Sequence, residues 1–357
     1  ILMADQLNKM RNEIDAIDNE LLRLVNTRAD LAMQIGQAKK QGEIYRPDRE
    51  AQVLGRLQKL NTGPLSPKHV TRLFTEIMSS CRSMEKPMSV TYLGPKGTFS
   101  EEAALTRFGQ SVTAVPCESI DEVFHKVESG MASYGIVPVE NSHEGVVGKT
   151  LDLLLQTSLK VCGEVLLPIH QCLLALHADP GQIEKIYSHP QSLAQCHEWL
   201  NTNFPLPQVK RVVAASNAHA AMIAADDKSV AAIASKKAAE VYKLSVYAEN
   251  IEDDPRNTTR FLVIGNQDVS PSGNDKTSLA MSSRNRPGAI HELLSPLAQY
   301  GVSMSHLESR PSRSDLWEYV FFADIRGHQQ DEKISKALDA IREKATFLKV
   351  LGSYPSA

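Results

Sequence analysis

Residues 5–40 read DQLNKMRNEIDAIDNELLRLVNTRADLAMQIGQAKK, with one glycine and no proline. Apolar residues recur along this stretch at alternating gaps of three and four, at Leu7, Met10, Ile14, Ile17, Leu21, Leu24, Leu31 and Ile35. A heptad stripe sustained for about five repeats predicts one helix of about 35 residues, about 50 Å long, that packs against another helix. The fold of this part of the chain is therefore expected to be all-helical.

Two shorter helices are expected after this one. The residues at 48–60 form a second helical pattern, and Ser66 followed by Pro67 is typical of an N-cap and a first helical position. This predicts a third helix that ends at about residue 85. We expect residues 1–86 to form one all-α domain.

The sequence pattern changes in residues 88–265, where short runs of β-branched residues alternate with helical patterns. This alternation predicts an α/β domain with mostly parallel sheets. An extended stretch at 161–177 lies near its middle, so we expect two lobes around a cleft, with a ligand at the carboxyl ends of the strands.

A polar stretch rich in Gly, Pro and Ser, GNQDVSPSGNDK at 265–276, is typical of a linker. One strand, one helix, two strands, one helix and one strand can be assigned after it. This order predicts a βαββαβ, ferredoxin-like α+β domain over residues 277–355. The chain is thus expected to be multidomain.

Composition excludes several classes of protein. The 357 residues include 39 basic and 42 acidic side chains, for a formal net charge of −3, so we expect no nucleic-acid partner. We also expect no membrane or secreted form, because the sequence has no signal-peptide h-region and no run of ~20 apolar residues. The five cysteines are dispersed and form no C-x-x-C pair, which favours a reducing cytoplasm; these cysteines are Cys81, Cys117, Cys162, Cys172 and Cys196. The sequence also predicts no metal site and no cofactor.

Three cations lie on or beside the heptad stripe of the first helix. Arg28 occupies a stripe position, and Arg11 and Lys39 lie close to the same face. Each could reach solvent from the margin of the stripe. Within one helix Arg11 is ~25 Å from Arg28 and ~40 Å from Lys39, so a shared ligand requires a second, antiparallel copy. An intertwined two-fold homodimer would then have two equivalent cationic pockets, suited to a dicarboxylate.

These residues, together with RPDRE at 46–50 and the third helix, resemble the all-helical chorismate mutase domain. The resemblance implies conversion of chorismate to prephenate, in which Arg11 from the partner chain, Arg28 and Lys39 bind the substrate carboxylates and ether oxygen. It places Arg49 near the carboxylates and implies that Glu50 accepts a hydroxyl of the substrate. A pericyclic rearrangement needs a held conformer and fixed positive charge, which such cations supply.

The sequence departs from this resemblance at two positions. Cys81 replaces a serine, and Glu85 replaces a glutamine that donates a hydrogen bond to the ether oxygen. Because only a protonated carboxyl can donate there, we expect mutase turnover to be favoured by acidic pH. The alternative is that Glu85 is a solvated surface residue.

Four further motifs are GPKGTFS at 94–100, VPVENS at 137–142, HPQSLAQC at 189–196 and NTTRF at 257–261. Together and in this order they resemble the prephenate dehydratase domain, which implies two α/β lobes like those of periplasmic binding proteins. Prephenate must lose its ring hydroxyl as water and its ring carboxylate as carbon dioxide to give phenylpyruvate.

The resemblance assigns the acid for the hydroxyl to Thr259 and a carboxylate-binding role to Arg260. It implies polar pocket residues at Glu140, Asn141, Ser142 and Gln191, and a turn and helix start at Thr98, Phe99 and Ser100. Ordinary loop hydrogen bonding is the alternative for these groups. No nucleophile-elbow turn surrounds Thr259, so covalent hydrolysis is not expected.

RPGAIHELL at 286–294 and HLESRP at 306–311 resemble the phenylalanine-binding motifs of the ACT regulatory domain. The resemblance implies that L-phenylalanine is an effector. It assigns its site to Gly288, Ala289 and Ile290 in the first motif and to Glu308, Ser309, Arg310 and Pro311 in the second.

The combined prediction is a bifunctional enzyme, inhibited by L-phenylalanine and assembled as a homodimer or tetramer. Two alternatives stay open. In one, a dehydratase carries an inactive, mutase-like dimerisation domain. In the other, the two-lobed cleft is an amino-acid sensor without turnover, and Thr259 is dispensable.

Overall fold

A computed structural model describes residues 2–38, 45–177, 179–284, 286–311 and 319–357. The chain divides into two compact units. The first contains residues 1–46, 54–88 and 108–113, and the second contains residues 47–53, 89–107 and 114–357. No helix within the described ranges is both long enough and apolar enough to cross a membrane.

The helical region agrees with its sequence pattern. Its helices are α1 (Leu2–Ala38), α2 (Pro47–Leu60) and α3 (Pro67–Glu85). The Ser66 hydroxyl accepts a hydrogen bond from the His69 backbone N–H at 3.3 Å, which caps α3 as predicted. In the first unit α1 packs against α3, yet the apolar stripe of α1 stays about half exposed, with values from 48% at Leu24 to 58% at Ile17.

Helices and strands alternate through the α/β region. They are β1 (Ser89–Leu93), α4 (Phe99–Phe108), β2 (Thr113–Cys117), α5 (Ile120–Glu128), β3 (Tyr134–Asn141), β4 (Gly145–Val146), α6 (Gly148–Gln156), β5 (Lys160–Pro168), β6 (Cys172–Ala175), a 3₁₀ turn (Pro180–Gln182), β7 (Lys185–Ser188), α7 (Pro190–Gln195), α8 (His197–Asn203), β8 (Lys210–Val213), α9 (Asn217–Asp226), β9 (Val230–Ala234), α10 (Lys236–Tyr242), β10 (Ser245–Ala248) and β11 (Thr258–Gly265).

These strands form two sheets, as the predicted two lobes require. The first has the order β2-β1-β3-β11-β5 with β4 on β3, and the second has the order β10-β6-β9-β7-β8. The chain leaves the first sheet after β5 and returns to it in β11, so β3 and β11 are neighbours although far apart in sequence. The segment that leaves after β5 and the segment that returns before β11 are hydrogen-bonded to each other, because the Ile169 N–H donates to the Asn257 carbonyl at 2.8 Å.

The prediction of mostly parallel sheets was wrong. Strand β1 pairs with β3 in parallel, and β7 pairs in parallel with β8 and β9. The returning strand β11 instead enters between β3 and β5 antiparallel to both, and β6 is antiparallel to β9 and β10. Both sheets are therefore mixed, because the chain crosses between the lobes twice.

The last region has the predicted βαββαβ order. Its elements are β12 (Asp275–Ser282), α11 (Ala289–Gln299), β13 (Met304–Pro311), β14 (Tyr319–Arg326), α12 (Glu332–Lys344) and β15 (Phe347–Pro355). The sheet order is β13-β14-β12-β15, and every pair is antiparallel. Both helices pack on one face of this sheet, where Leu279, Leu293 and Ile341 are buried.

The other face of this last sheet is packed against the first α/β sheet. Phe322 and Leu351 belong to the same buried cluster as Val137 and Leu262. A Cβ on Gly352 would overlap the Val161 carbonyl oxygen, so glycine is what allows β15 to approach β5 so closely. The two regions thus share one hydrophobic core, which the linker-like sequence between them did not indicate.

Candidate functional sites

Thr259 and Asn141 lie opposite one another on neighbouring strands of the first sheet. Thr259 lies at the start of β11 and Asn141 ends β3, and the two are register partners. The Asn141 Nδ2 group donates to the Thr259 hydroxyl at 2.8 Å. Thr259 is only 9% exposed, so this bond is largely shielded from water.

The orientation of the Asn141 amide is fixed by backbone groups. Its Oδ1 atom accepts hydrogen bonds from the N–H groups of His143 (2.9 Å) and Glu144 (3.1 Å). Backbone N–H groups only donate, so the amide oxygen must face them and the nitrogen must face Thr259 and the Asn257 Oδ1 atom (2.9 Å). Among the described residues, the Thr259 hydroxyl accepts a bond and donates none, so its proton can be given to a ligand.

The loop after Asn141 carries a second polar cluster. The Ser142 hydroxyl accepts from the Thr258 N–H at 3.0 Å and lies 3.0 Å from His143 Nδ1. His143 Nε2 is 3.3 Å from Asp254, and Asp254 is also held by Arg256. These hydrogen bonds from the guanidinium and backbone of Arg256 lower the pKa of the Asp254 carboxyl far below its usual range.

Arg260 does not share the surroundings of Thr259. Successive side chains of a strand point to opposite faces, so the two residues diverge. The Arg260 guanidinium donates to Glu164 at 2.8 Å, to Asp324 and to the Tyr354 hydroxyl at 2.9 Å, and its side chain is 11% exposed. Three of its five N–H groups thus donate to protein groups, and two of these groups are carboxylates. The role of Arg260 as a ligand of the substrate carboxylate stays a prediction.

Glu140 lies one residue before Asn141 and is half-buried. Its carboxylate is 3.7 Å from Nδ1 of His306, which lies on β13. Glu140 is the register partner of Arg260, so it lies on the same face of the sheet as Arg260 and points away from Thr259. The predicted place of Glu140 in the Thr259 pocket is therefore corrected, because the register turns it toward the last domain.

The turn at 94–100 is held by both lobes. The Thr98 hydroxyl donates to the Leu93 carbonyl at 3.1 Å, and Ser235 of the second lobe donates to the Gly97 carbonyl at 2.9 Å. Gly97 has φ +84°, which favours glycine, and its N–H donates to the Glu101 carboxylate. The Glu101 carboxylate thus occupies part of the anion-binding position that a turn before a helix would otherwise provide. Phe99 begins α4 and is half-buried, and Ser100 is buried.

The second lobe contributes Gln191, at the start of α7. Its N–H donates weakly to Nδ1 of His189, at 3.4 Å. Beneath it, the Ser192 hydroxyl accepts from Asn217 at 2.8 Å and from Gln171 at 3.1 Å. This buried polar network fixes the start of α7 and was not identified from the sequence.

In the helical unit, Glu85 of α3 packs against α1. A Cβ on Gly36 would lie 3.1 Å from the Glu85 Oε2 atom, so glycine leaves room for this carboxylate. Cys81, one turn earlier on α3, is 3% exposed. The carboxylate therefore faces the long helix rather than extending from an isolated helix end.

The predicted cations are only partly placed. Arg28 is half-buried on α1, and Arg11 is exposed. Lys39 lies outside the described residues. Arg49 is exposed and Glu50 half-buried in the first turn of α2, in the segment that belongs to the second unit.

The last domain has a cavity of about 200 Å³ beside the start of α11. Gly288 is the N-cap, with φ +81°, and lines this cavity together with Ala289 and Ile290. The remaining lining residues are Ser283, Arg284, Arg286, Tyr319 and Phe321.

The second predicted effector motif lies on β13, at the edge of the sheet. Glu308 is half-buried, and Ser309 and Pro311 are exposed. Arg310 lies 3.4 Å from Asp152 and covers Gly148, whose added Cβ would overlap the guanidinium. Within the described part of one chain, the two motifs do not line the same cavity, since β14 separates β13 from the rest of the sheet.

The side chains that commonly bind metals are dispersed. Among the described residues, no group of three or more His, Cys, Asp or Glu side chains is arranged to hold a metal ion.

Comparison with known proteins assigns all three regions. The family model for chorismate mutase type II matches residues 10–86, that for prephenate dehydratase matches 90–269, and that for the ACT domain matches 277–343. A bifunctional chorismate mutase/prephenate dehydratase from Neisseria gonorrhoeae is 52% identical over 350 residues, which cover 97% of this chain and 96% of that protein. This chain belongs to the bifunctional chorismate mutase/prephenate dehydratase family. It is an enzyme with a mutase domain, a dehydratase domain and an ACT domain.

Two solved structures are each similar to three quarters of the chain. The structure of a prephenate dehydratase in complex with L-Phe from Arthrobacter aurescens has a TM-score of 0.69 and 34% identity, and the match covers 75% of this chain and 90% of that chain. A quorum quenching acylase has the same TM-score with 28% identity, covering 75% of this chain and 98% of that chain. A shared fold does not by itself fix an activity, so the side chains must decide.

The Ser142, His143 and Asp254 cluster does not favour acyl transfer in this chain. Arg256 neutralises the carboxylate that would have to stabilise a histidine cation. The backbone N–H groups of His143 and Glu144, which could stabilise an oxyanion, already donate to Asn141.

Proposed function

We propose that the dehydratase domain removes the ring hydroxyl of prephenate with Thr259 as the proton donor. The observation that carries this is the hydrogen bond from Asn141 to Thr259. A hydroxyl that accepts a hydrogen bond becomes a better donor through its own proton, because hydrogen bonds in a chain polarise one another. The direction of the Asn141 amide thus prepares Thr259 to donate.

The dehydratase reaction needs one proton from the protein. Protonation by Thr259 lets the ring hydroxyl leave as water, while the C–C bond to the ring carboxylate breaks and carbon dioxide departs. Solvent water then returns a proton to the Thr259 oxygen. The bonding electrons complete the aromatic ring of phenylpyruvate. Ser142 and Gln191, with the turn at Thr98, Phe99 and Ser100, are proposed to position the substrate.

Replacement of the Thr259 hydroxyl tests the proposal. Thr259→Ala is expected to lower kcat for prephenate by about 10²- to 10⁴-fold, the usual contribution of a general acid. Thr259→Ser keeps the hydroxyl and is the matched control, which should retain most of the activity. Phenylpyruvate formation from added prephenate measures both variants, and chorismate consumption should be unchanged. A Thr259→Ala variant as active as the wild type would exclude this role.

For the mutase reaction we propose the predicted cationic set: Arg28 and Lys39 of one chain with Arg11 of a second chain. Arg49, Glu50, Cys81 and Glu85 are proposed to complete the substrate site. The half-exposed apolar stripe of α1 supports this arrangement, since a second long helix would cover it. The assembly is therefore proposed to be a homodimer or a tetramer of such dimers.

We also propose that L-phenylalanine is the effector of the ACT domain. The cavity at Gly288, Ala289 and Ile290 supports this, as does the similar prephenate dehydratase that was solved with L-Phe. Glu308, Ser309, Arg310 and Pro311 lie on an edge strand, where a second copy of the chain could approach the site.

The proposed boundaries are 1–86 for the mutase domain, 88–265 for the dehydratase domain and 277–355 for the ACT domain. A cytoplasmic location is proposed for the enzyme. Its buried free cysteines, Cys81, Cys117, Cys162, Cys172 and Cys196, are typical of a reducing compartment.

A further inference from the structure

Asn257 begins the NTTRF segment, and its side chain is hydrogen-bonded to the same nitrogen atom as the Thr259 hydroxyl. The Asn141 Nδ2 group donates to the Thr259 hydroxyl at 2.8 Å and to the Asn257 Oδ1 atom at 2.9 Å. An amide nitrogen carries two hydrogens, so these two bonds use both of them. Asn257 therefore binds the hydrogen of Asn141 that Thr259 does not accept.

The direction of the Asn257 amide follows from that of Asn141. Two backbone N–H groups hold the oxygen of Asn141, so its nitrogen faces Asn257. Asn257 must then present its oxygen to Asn141, because two NH₂ groups that face each other form no hydrogen bond. The Asn257 Nδ2 atom points elsewhere, and it is buried without a hydrogen-bond partner among the described residues, in a residue that is 2% exposed.

This unpaired nitrogen makes Asn257 a costly residue for a purely structural role. A buried donor without a partner destabilises the fold, and an apolar side chain of the same shape would avoid that loss. Buried unpaired polar groups are rare in native proteins, and each calls for an explanation. The contact of the Asn257 oxygen with Asn141 explains why an amide lies here.

The main chain around Asn257 is held independently of its side chain. The Asn257 carbonyl accepts from the Ile169 N–H at 2.8 Å, and the Thr258 carbonyl accepts from the Ser142 N–H at 2.9 Å. The Thr258 N–H donates to the Ser142 hydroxyl at 3.0 Å. A substitution at position 257 can therefore release the Asn141 amide while the start of β11 stays in place.

Loss of the Asn257 oxygen would leave one N–H of Asn141 without an acceptor. That buried N–H could find a new acceptor only if the amide rotates or water enters. Either change weakens the bond from Asn141 to Thr259. The Thr259 hydroxyl would then be less polarised and would be a poorer proton donor.

We propose that Asn257 is a positioning residue for the dehydratase reaction, because it fixes Asn141 in the rotation that donates to Thr259. The proposal rests on the proposed role of Thr259 as proton donor. It adds to that site a residue from the segment that returns from the second lobe, and every residue in this chain of hydrogen bonds belongs to the dehydratase domain.

The first test is Asn257→Leu in the full-length enzyme. Leucine is similar in shape, and it removes one unpaired donor while leaving another on Asn141, so the unfolding temperature should change little. We expect kcat for prephenate to fall by about 10- to 100-fold with KM changed by less than about threefold, as for a misplaced catalytic group. Chorismate consumption should be unchanged. Asn266→Leu is the matched control and should keep the wild-type kcat, because Asn266 lies beyond the other end of β11 and donates to the Val127 carbonyl.

Asn257→Asp separates the role of the oxygen from that of the nitrogen. This variant keeps an acceptor for Asn141 and replaces the unpaired nitrogen by a second oxygen. Most of the wild-type kcat should be retained, whereas KM should rise because the new negative charge repels an anionic substrate. A kcat as low as that of Asn257→Leu would assign the effect to the nitrogen and overturn the proposal.

A double variant tests whether Asn257 acts through Asn141. In an Asn141→Ala background, Asn257→Leu should cost nothing further, because the amide that it positions is gone. Multiplied losses, or a wild-type kcat in Asn257→Leu, would overturn the inference while leaving the proposed function intact. A fully active Thr259→Ala variant would instead overturn the proposed function, whatever the Asn257 variants do.

Discussion

At the scale of single residues, Asn141 decides which way the Thr259 proton points. Asn141→Asp keeps the acceptor for His143 and Glu144 but replaces the group that donates to Thr259 by an acceptor. The hydroxyl would then donate to the introduced carboxylate, and the new negative charge would repel the substrate. We expect about a 100-fold lower kcat/KM for prephenate, within the usual range for lost acid catalysis.

The control for this prediction is Asn141→Ala, which removes the hydrogen bond without competing for the Thr259 proton. Steady-state kinetics should show that the Asp variant is less active than the Ala variant. The reverse order would mean that Asn141 does not set the direction of the proton.

Glu85 gives the mutase a testable dependence on pH. A carboxyl donates a hydrogen bond to an ether oxygen only when it is protonated, so turnover should rise as the pH falls. Glu85→Gln always has a donor and should flatten the kcat profile measured between about pH 5 and about pH 8. Equal slopes for the two proteins would assign the pH dependence to another group.

Arg260 shows how far a motif can be interpreted at this scale. The NTTRF segment correctly places Thr259 on a strand, and its resemblance suggests a role for each polar residue. Which face a side chain occupies depends on the register and on what packs there. Arg260 is hydrogen-bonded to Asp324 and Tyr354, which lie on strands of another domain. The sequence of the motif does not indicate these partners.

At the scale of elements, the long helix α1 was predictable because a heptad pattern needs only local spacing. Its half-exposed stripe leads to a prediction about assembly. Leu21→Lys places a charge on the stripe and should separate the subunits in sedimentation velocity, with loss of mutase turnover. Asn19→Lys adds the same charge away from the stripe and should leave both unchanged. A Leu21→Lys variant that keeps its assembly would refute the packing proposed for this face.

The start of α11 provides a prediction for the effector site. Gly288 has φ +81° at the mouth of the cavity, and an L side chain there costs about 1–2 kcal/mol. Gly288→Ala should therefore weaken L-phenylalanine binding in calorimetry and raise the concentration needed for inhibition.

Gly301 is the matched control for that change. It has φ +63° in the same domain, and nothing described lies within 4 Å of an added Cβ. Gly301→Ala should cost similar stability without altering the response to phenylalanine. Equal weakening by both variants would show that strain in the domain, rather than the cavity, is responsible.

The sheets show where prediction from local pattern ends. The spacing of strands and helices identified the elements and the two lobes. It could not show that β11 returns from the second lobe to pair antiparallel with β3 and β5, because that pairing joins segments far apart in the chain, such as Thr259 and Asn141. The proposed catalytic pair exists only through this long-range register.

At the scale of the whole molecule, the three regions suggested by the sequence are matched by three family models. The sequence did not reveal that the dehydratase and ACT domains share a core. Phe322 and Tyr354 are buried with Val137 and Leu262, and Lys349 donates to the Leu154 carbonyl at the end of α6 at 2.9 Å. These two domains are therefore packed against each other over a continuous buried surface.

The central claim is that one chain carries out two consecutive reactions with separate residues. The most direct measurement follows chorismate, prephenate and phenylpyruvate together over time with full-length wild type and Thr259→Ala. The wild type should convert chorismate through to phenylpyruvate, and the variant should stop at prephenate in an amount equal to the chorismate consumed. Phenylpyruvate formed by the variant at the wild-type rate, or chorismate left unconsumed by both proteins, would contradict the account.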